Sequence, residues 1–319
     1  MQRYSLPLKI GRIYQAVSPA LRFMDYPFRL FCISGHFRSL PAIFILAPPR
    51  SGSTLLYQLL GEAFYNVHLT NIWNLFYSTP VFGSFVSDRI CESHQSNFES
   101  VNGFVPGICG EAEGMRFWKY WTGQGLKPDE SRLKPQRLKK LQELLSKRYY
   151  LEDRVWISCY IGHVFCIDFL RQHWENAVFI HLYRDMVSNA YSVYKCSPYR
   201  WFSLDPGGIQ DIARDRYEEI ARQITRVHSI VLDYHGRDVF TLSYEELCES
   251  PGEVLGKISD FALKNDVLLR EKKSSPTAFR KKKVSRNFNE HTRSLYQYLK
   301  EETLKYKGQK RKFFDRMLT

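Results

Sequence analysis

The sequence has no apolar run as long as the roughly 18 residues that a membrane-spanning helix requires. Its first 40 residues also lack the uninterrupted apolar core of a secretory signal peptide, although they include the basic residues Arg3 and Lys9. These two absences predict a cytoplasmic protein with no integral membrane segment.

Cysteine motifs for metal binding or redox chemistry are absent as well. The seven cysteines are scattered, and no two of them form a C-x-x-C pair. An odd number of widely spaced cysteines in a chain of this length is typical of reduced, mostly buried thiols. We therefore predict a reducing compartment and no bound metal. The cysteines are Cys32, Cys91, Cys109, Cys159, Cys166, Cys196 and Cys248.

The composition is that of a globular protein. Of the 319 residues, 44% are apolar and 15% are aromatic, which is enough to bury a large core. The chain contains no internal repeat and no low-complexity linker, which favours a single domain. We predict an N-terminal lead-in at 1–40, the main domain at 41–270, and a basic C-terminal loop and helix at 271–319 that pack on that domain.

The charge of the chain indicates an anionic partner. The formal net charge is +13, and much of the excess lies in the C-terminal third, which includes the basic run at 280–283. Such a balance suits polyanions, acidic membranes and small multi-anionic ligands equally well. Because no known nucleic-acid module is present, we predict no nucleic-acid partner.

Short apolar runs alternate with amphipathic segments along the chain. This alternation predicts an α/β fold with a doubly wound parallel sheet flanked by helices. Ligands of such sheets bind at the carboxyl ends of the strands. The predicted strands cover 43–47, 65–69, 154–159, 177–183 and 239–243, and the longer predicted helices cover 135–150, 163–173, 186–195, 209–233 and 252–263.

The first predicted strand leads into the segment Ala47-Pro-Pro-Arg-Ser-Gly-Ser-Thr54. A strand, a glycine-containing turn and a helix point backbone N–H groups and a helix N-terminus at an anion. Arg50 adds a fixed cation, so we interpret the loop as a phosphate or sulfate site. The alternative is an ordinary strand–turn–helix with a surface arginine. The remaining candidate ligands of the anion are Ser51, Gly52, Ser53 and Thr54.

This loop differs from that of a nucleoside-triphosphatase. That motif reads G-x-x-x-x-G-K-[ST], whereas here Ser53 occupies the lysine position and the first glycine is missing. A P-loop kinase of a small molecule, which needs that lysine and a magnesium site, is therefore the weaker alternative.

A second candidate anion site begins where the strand at 177–183 ends. Arg184 is followed by Ser188 and Ser192 on a predicted helix, and an arginine plus a hydroxyl at a helix N-terminus can clamp a phosphate. Arg184 and Ser192 converge if Arg184 folds back over the first turn. The alternative is a surface ion pair between Arg184 and Asp185. A ligand that bridges both sites would be anionic at both ends.

Together these segments resemble the sulfotransferase family that uses 3′-phosphoadenosine 5′-phosphosulfate (PAPS). The family pattern [RK]-x-G-[ST]-T is similar to Arg50-Ser-Gly-Ser-Thr54. A strand ending in R-D/N-P, with a serine eight residues after the arginine, is similar to 184–192, where Met186 replaces the usual proline. The family's Y-E-x-L is similar to Tyr244-Glu-Glu-Leu247. The resemblance covers roughly residues 41–263.

The resemblance implies a metal-free, in-line transfer of sulfonate from PAPS to a hydroxyl of a carbohydrate, lipid or small alcohol. It implies that residues 50–54 hold the 5′-phosphosulfate, that Arg184 and Ser192 hold the 3′-phosphate, and that Tyr244 lies beside the adenine. Relatives with a basic C-terminal loop close it over the 3′-phosphate, which Arg280 or Lys281 could do here; a solvated charge run is the alternative.

Finer features resemble bacterial members of the family. Asn71, the segment 113–118 and the segment 201–206 are similar to an asparagine after the second strand, an E-[FG]-x-x-F-W segment and a W-[WF]-S-L-x-P segment. Many relatives also carry a lysine at the end of the strand before the R-D strand, where this chain has Ser158 and Cys159. Either Arg50 suffices, or another cation replaces the lysine, or transfer is reduced or lost and the chain is a nucleotide-binding scaffold.

The acceptor hydroxyl in such a transfer needs a general base within hydrogen-bond reach. Relatives use histidine or glutamate, and the candidates here are Glu111, Glu113, His94 and His163. We favour Glu113, because burial among neighbouring aromatic residues would raise its pKa. His163 follows a predicted strand end, where a packed histidine is the alternative.

Overall fold

The computed structural model describes residues 23–29, 39–125, 129–149, 152–196, 215–234, 236, 238–272, 279 and 289–318. In these residues five strands form one sheet in the order β2-β3-β1-β4-β5, and every neighbouring pair is parallel. The predicted α/β fold with a parallel sheet is confirmed. The strands are β1 (Ala42–Leu46), β2 (Asn66–His68), β3 (Val155–Cys159), β4 (Ala177–Tyr183) and β5 (Val239–Ser243).

Thirteen α-helices accompany the sheet in the described residues, together with two short 3₁₀ turns at Glu130–Arg132 and Ile161–Phe165. The helices are α1 (Asp25–Arg29), α2 (Ser53–Ala63), α3 (Asn71–Leu75), α4 (Pro80–Cys91), α5 (Met115–Thr122), α6 (Pro135–Tyr149), α7 (Ile167–His173), α8 (Met186–Cys196), α9 (Arg216–Leu232), α10 (Tyr244–Glu249), α11 (Pro251–Lys264), α12 (Glu290–Leu304) and α13 (Gly308–Leu318).

The central strand β1 is apolar throughout because both faces of the sheet are covered. Phe44 and Leu46 belong to a core with α4, α5, α6 and α7, whereas Ile43 and Ile45 belong to a second core with α2, α10 and α11. Successive side chains of a strand point to opposite faces, so one five-residue run serves both cores. The sheet is therefore doubly wound, as predicted.

A capped helix start connects β2 to α3. The sequence predicts a strand at 65–69. β2 lies inside that range, and the Thr70 hydroxyl accepts a hydrogen bond from Trp73 N at 3.2 Å. The capping hydroxyl satisfies one of the N–H groups that a helix start leaves without an intrahelical partner.

The two C-terminal helices pack mainly against α8 and α9. Leu295 and Leu299 of α12 and Phe314 of α13 are buried in a third apolar cluster with Val193 and Ile224. Phe313 of α13 also reaches the sheet, where its ring lies 5.0 Å from that of Tyr183 at the end of β4. The partition of the chain at 40 and 270 stays a prediction.

The prediction of reduced thiols is wrong for two cysteines. Cys91, at the end of α4, and Cys109 form a disulfide with 5.4 Å between their Cα atoms. They are 18 residues apart, a spacing that matches no motif, and only the fold brings them together. Disulfides form mainly in oxidising compartments, so this bond argues against the predicted reducing compartment. Cys159, Cys166 and Cys248 are buried free thiols, Cys196 is a partly exposed one, and Cys32 lies outside the described residues.

Among the residues that the structure describes, no helix has both the length and the apolar character needed to cross a membrane.

Candidate functional site

The loop between β1 and α2 is shaped to present backbone N–H groups. Arg50 and Gly52 have positive φ angles of 65° and 100°, and the Ser51 hydroxyl donates to Pro48 O at 2.8 Å. The helix begins at Ser53, and the first N–H groups of a helix have no intrahelical partner. The turn therefore offers these donors, and the positive end of the helix dipole, to an anion.

Gly52 is required at its position by a neighbour as well as by its backbone angle. A Cβ atom at Gly52 would lie 2.3 Å from Cδ2 of Tyr244. Tyr244 is the first residue of α10 and directly follows β5, so the parallel sheet carries it to the same edge as the loop. The first and third sequence motifs are thus in van der Waals contact.

The Arg184 segment closes on the same loop from the other side. Arg184 Nη1 donates to Arg50 O at 3.2 Å, and Arg50 Nε donates to Ser192 Oγ at 3.4 Å. Asp185, the suggested ion-pair partner of Arg184, accepts a hydrogen bond from Ser188 N at 2.7 Å and so caps α8. The two candidate anion segments meet at Arg50, and their role in binding a ligand stays a prediction.

Arg184 itself is buried beside Tyr244. Its guanidinium carbon lies 4.6 Å from the centroid of the Tyr244 ring, and burial lowers the pKa of Arg184. Even a lowered arginine pKa leaves the side chain charged at neutral pH. The contact places a permanent cation against an aromatic face, where it is attracted by the ring. All three motifs therefore converge at the carboxyl edge of the sheet.

Glu113 lies at the same edge. Burial raises the pKa of Glu113 to about 7, and the nearby charge of Arg50 opposes that rise. The charge of Glu113 in turn raises the pKa of Cys159, after burial, and that of Tyr160, after burial and Cys166, so Glu113 lies near the end of β3. A carboxylate that titrates near neutral pH beside a fixed cation is suited to accept a proton.

His163, the second predicted base, lies inside the core. Its Nε2 is 2.8 Å from Ser158 Oγ, and its ring meets Phe44 and Trp118 edge-on at centroid distances of 4.9 and 4.5 Å. Burial lowers the pKa of His163 to about 3. These contacts are those of a packed histidine, the alternative that the sequence left open.

The other two candidate bases line a separate space. Glu111 is buried, and His94 is exposed; both border a cavity of about 540 Å³ beside β2, the edge strand of the sheet. Burial raises the pKa of Glu111. Their position gives no reason to prefer either to Glu113.

Two predicted ligands of the 3′-phosphate, Arg280 and Lys281, lie outside the described residues, as does the aromatic segment 201–206. Within the described ranges no group of three or more histidine, cysteine, aspartate or glutamate residues is arranged to hold a metal ion.

Sequence reasoning missed Asn189 and a loop that we name the strap, residues 92–109. Asn189 Nδ2 donates to Pro49 O at 2.7 Å and so ties α8 to the segment 47–54, which we name the anion loop. The strap is closed by the Cys91–Cys109 disulfide and touches the anion loop where Thr54 Oγ1 donates to Gly103 O at 3.4 Å. The adjacent Asn-Gly pair at 102–103 signals a turn, but nothing local shows what that turn covers.

Asn71 anchors the strap. Its side-chain amide donates to Val105 O at 2.8 Å and to Gly107 O at 2.7 Å, and its backbone N–H donates to Gly110 O at 2.8 Å. The asparagine that the sequence singled out only by resemblance therefore fixes the strap against the start of α3.

A family model described as the sulfotransferase family matches residues 41–263. A search of curated proteins finds no match. Among solved structures, sulfotransferase STF1 from Mycobacterium tuberculosis H37Rv is 13% identical, with 97% of this chain and 83% of that chain covered and a TM-score of 0.47. Sulfotransferase STF9 from Mycobacterium avium is 14% identical, with 89% and 72% covered and a TM-score of 0.49.

A sulfotransferase from Alicyclobacillus acidocaldarius is 13% identical, with 84% of this chain and 94% of that chain covered and a TM-score of 0.42. The range matched by the family model is more than half of the chain and includes all three motifs that meet at Arg50. The chain belongs to the sulfotransferase family.

Proposed function

We propose that this protein transfers the sulfonate of PAPS to a hydroxyl group of a carbohydrate, lipid or small alcohol. The observation that carries the proposal is the convergence at Arg50, whose backbone oxygen contacts Arg184 and whose side chain contacts Ser192. PAPS is anionic at both ends, and this arrangement offers one cation to each end.

We assign the two ends of PAPS as the family resemblance implies, and the contacts in the fold support that assignment. The turn at 50–54 and the start of α2 hold the 5′-phosphosulfate, because backbone N–H groups and the helix dipole favour an oxyanion there. Arg184 and Ser192 hold the 3′-phosphate through charge-assisted hydrogen bonds. The Tyr244 ring packs on Gly52 between the two and provides an apolar surface for the adenine.

The chemistry needs charge stabilisation and one proton acceptor. The bond between sulfur and the bridging phosphate oxygen breaks while the acceptor oxygen bonds to sulfur, and the hydroxyl proton passes to Glu113. Arg50 and the N–H groups of the turn stabilise the negative charge that develops on the sulfonate and on the leaving phosphate. Holding both reactants in line supplies much of the remaining rate enhancement.

The missing lysine at the end of β3 raises the question of which cation acts on the sulfonate. Ser158 Oγ is engaged with His163, and burial raises the pKa of the Cys159 thiol, so neither residue provides a charge. Arg50 lies close enough to Glu113 to lower the pKa of that carboxylate. We therefore assign the role to Arg50. The same absence supports the second candidate function, a nucleotide-binding scaffold that does not transfer sulfonate.

Calorimetric titration with 3′-phosphoadenosine 5′-phosphate tests the donor site. We expect micromolar or tighter binding without metal, and little binding of ATP with magnesium. Tight, magnesium-dependent ATP binding would instead identify a kinase. If the bisphosphate binds but PAPS is not turned over with any acceptor, the scaffold function holds.

Arg184→Ala supplies the structural half of the test. Loss of the Arg184 guanidinium should weaken bisphosphate binding by about 1.5–3 kcal/mol, the size of a charged hydrogen bond. This corresponds to a roughly 10- to 150-fold lower affinity. Arg171→Ala is the matched control, because Arg171 is another partly buried arginine, ion-paired with Asp238 just before β5, at the opposite edge of the sheet. Equal affinity of both variants and the wild type would refute the site.

A further inference from the structure

Four large apolar side chains are exposed in the strap and at the start of α5. Val101, Phe104 and Ile108 are 66%, 59% and 59% exposed, and Met115, at the start of α5, is 49% exposed. Single exposed apolar residues are common on proteins and need no explanation, but a contiguous patch marks an interaction site. We call these four residues the rim.

The rim borders the proposed reaction centre. Gly103, the residue before Phe104, accepts the hydrogen bond from Thr54, and a Cβ atom on it would lie 3.4 Å from Arg50 Nη1. Met115 follows Glu113 by two residues across Gly114, which caps α5 with a φ of 70°. The rim is therefore joined through short segments to both groups that an acceptor hydroxyl would contact.

The strap holds the rim in a fixed shape. Val101 and Phe104 exchange backbone hydrogen bonds of 2.8 and 3.0 Å, which closes a tight turn around Asn102 and Gly103. Ile108 O accepts a hydrogen bond from Ile72 N at 2.8 Å, and the disulfide closes the loop at Cys109. Apolar side chains that are held rigidly in water lose little entropy when a ligand covers them.

We propose that the rim binds the hydrocarbon part of the acceptor, so that the substrate class is an alcohol with an apolar chain or ring next to its hydroxyl. The inference rests on the proposed function, because it takes the neighbouring centre to be the site of transfer. Three of the four rim residues are aliphatic or methionine and offer no flat face for a sugar ring to stack on. The strap carries Glu92 and Glu99 and no lysine or arginine, a charge that disfavours an anionic bilayer as the partner.

Binding of 2-naphthol, a fluorescent aryl alcohol, to the protein loaded with 3′-phosphoadenosine 5′-phosphate tests this inference without turnover. The variant is Val101→Ser with Phe104→Ser. The matched control is Leu263→Ser with Leu268→Ser, at positions that are 60% and 57% exposed. Leu268 precedes Arg270, whose carbonyl accepts a hydrogen bond from Tyr65 N at the amino end of β2, away from the rim.

We expect the wild type and the control to bind 2-naphthol equally, 1-octanol to compete and glucose not to compete. The rim variant should bind 2-naphthol roughly tenfold more weakly, a typical effect of removing apolar contact area from a binding pocket. Its affinity for the bisphosphate should not change, and circular dichroism should show the same fold for all variants.

Equal binding of 2-naphthol by the rim variant and the wild type would overturn the inference. Absence of 2-naphthol binding to a wild-type protein that binds the bisphosphate would overturn it too, while the donor site would stand. If the bisphosphate itself does not bind, the proposed function is what fails. Rim-dependent sedimentation with phosphatidylcholine vesicles, or a dimer that the variant abolishes, would show that a bilayer or a second copy covers the rim instead.

Discussion

Replacing Glu113 with glutamine tests the proposed base through the pH dependence of the rate. Burial raises the pKa of Glu113 to about 7, so it is the carboxylate form, present above that pH, that can accept the acceptor proton. For a single titrating group, about one tenth is ionised one pH unit below the pKa and about nine tenths one unit above it. The wild-type kcat/KM should therefore rise roughly tenfold from pH 6 to pH 8.

Two charges near Glu113 shift the pH at which the rate rises. Arg50 lowers the pKa of Glu113, so Arg50→Gln should move the rising limb to higher pH as well as slow the reaction. The negative charge of the bound nucleotide acts in the opposite sense to Arg50 and disfavours the carboxylate. The pH dependence of kcat reports the enzyme–substrate complex, and that of kcat/KM reports the free enzyme. The rising limb of the kcat profile should therefore lie at higher pH than that of the kcat/KM profile.

The assay is release of 3′-phosphoadenosine 5′-phosphate from PAPS across pH 5.5–9 at saturating and subsaturating acceptor. Glu113→Gln should lower the rate by roughly 10²- to 10⁴-fold, the usual contribution of a general base, and should remove the limb. Glu111→Gln is the control, because Glu111 lines the separate cavity. A wild-type limb that survives in Glu113→Gln would refute the assignment. His163 could not explain that limb, because burial lowers its pKa to about 3.

Three further predictions concern the fold around the site. Gly52→Ala should cost about 1–3 kcal/mol of stability and weaken bisphosphate binding, because the alanine Cβ would lie 2.3 Å from Tyr244 at a residue with positive φ. Thermal unfolding measures the stability and calorimetry the affinity. Unchanged values would contradict the role given to Gly52. Cys91→Ser with Cys109→Ser should lower the unfolding free energy by about 3 kcal/mol in urea, and a reductant should destabilise the wild type but not this variant. Acid should unfold the protein early, because desolvation lowers the pKa of three histidines to about 3 in the folded protein, against about 6.5 in the unfolded chain. The unfolded chain then binds more protons below pH 6.5, so stability should fall with pH by up to about 1.4 kcal/mol per unit for each histidine. A urea unfolding series from pH 7.5 to 4.5 that shows constant stability would contradict this. These histidines are His68, His163 and His228.

The sheet could be predicted from the sequence because its signals are local. β1, β3, β4 and β5 are short runs of apolar residues, and each lies between helical patterns with a different period. The stretch before Glu111 carries no such pattern. The helix α4 is not among the predicted helices, because apolar residues alternate there with glycine and serine and give only a weak helical pattern.

The strap could not be predicted for a different reason. Its position depends on Cys91 reaching Cys109, on the Asn71 amide and on the contact of Gly103 with the anion loop, and each of these joins residues far apart in the chain. Sequence patterns report which residues turn or alternate, and they do not report which distant segment a turn will cover.

The candidate site likewise contains residues that local motifs identify and residues that only distant contacts identify. The sequence identifies Arg50, Arg184 and Tyr244, because each belongs to a short motif whose spacing can be read along the chain. His163 was ambiguous because a residue just after a strand can turn toward the site or toward either core, and here it turns into the core that contains Phe44. Asn189 lies in the same helix as Ser192, and only its contact with Pro49 separates it from an ordinary helix residue.

The missing lysine and the raised pKa of Glu113 are best understood as one feature. Glu113 lies beside Cys159 and Tyr160, at the strand end where many relatives carry the lysine. A cation there would pair with the carboxylate and lower its pKa, which would make it a weaker base. Without that cation, burial dominates and the pKa rises to about 7, while Arg50 still stabilises the transferring group. The departure from the family pattern therefore removes one electrostatic stabiliser and makes Glu113 the stronger base.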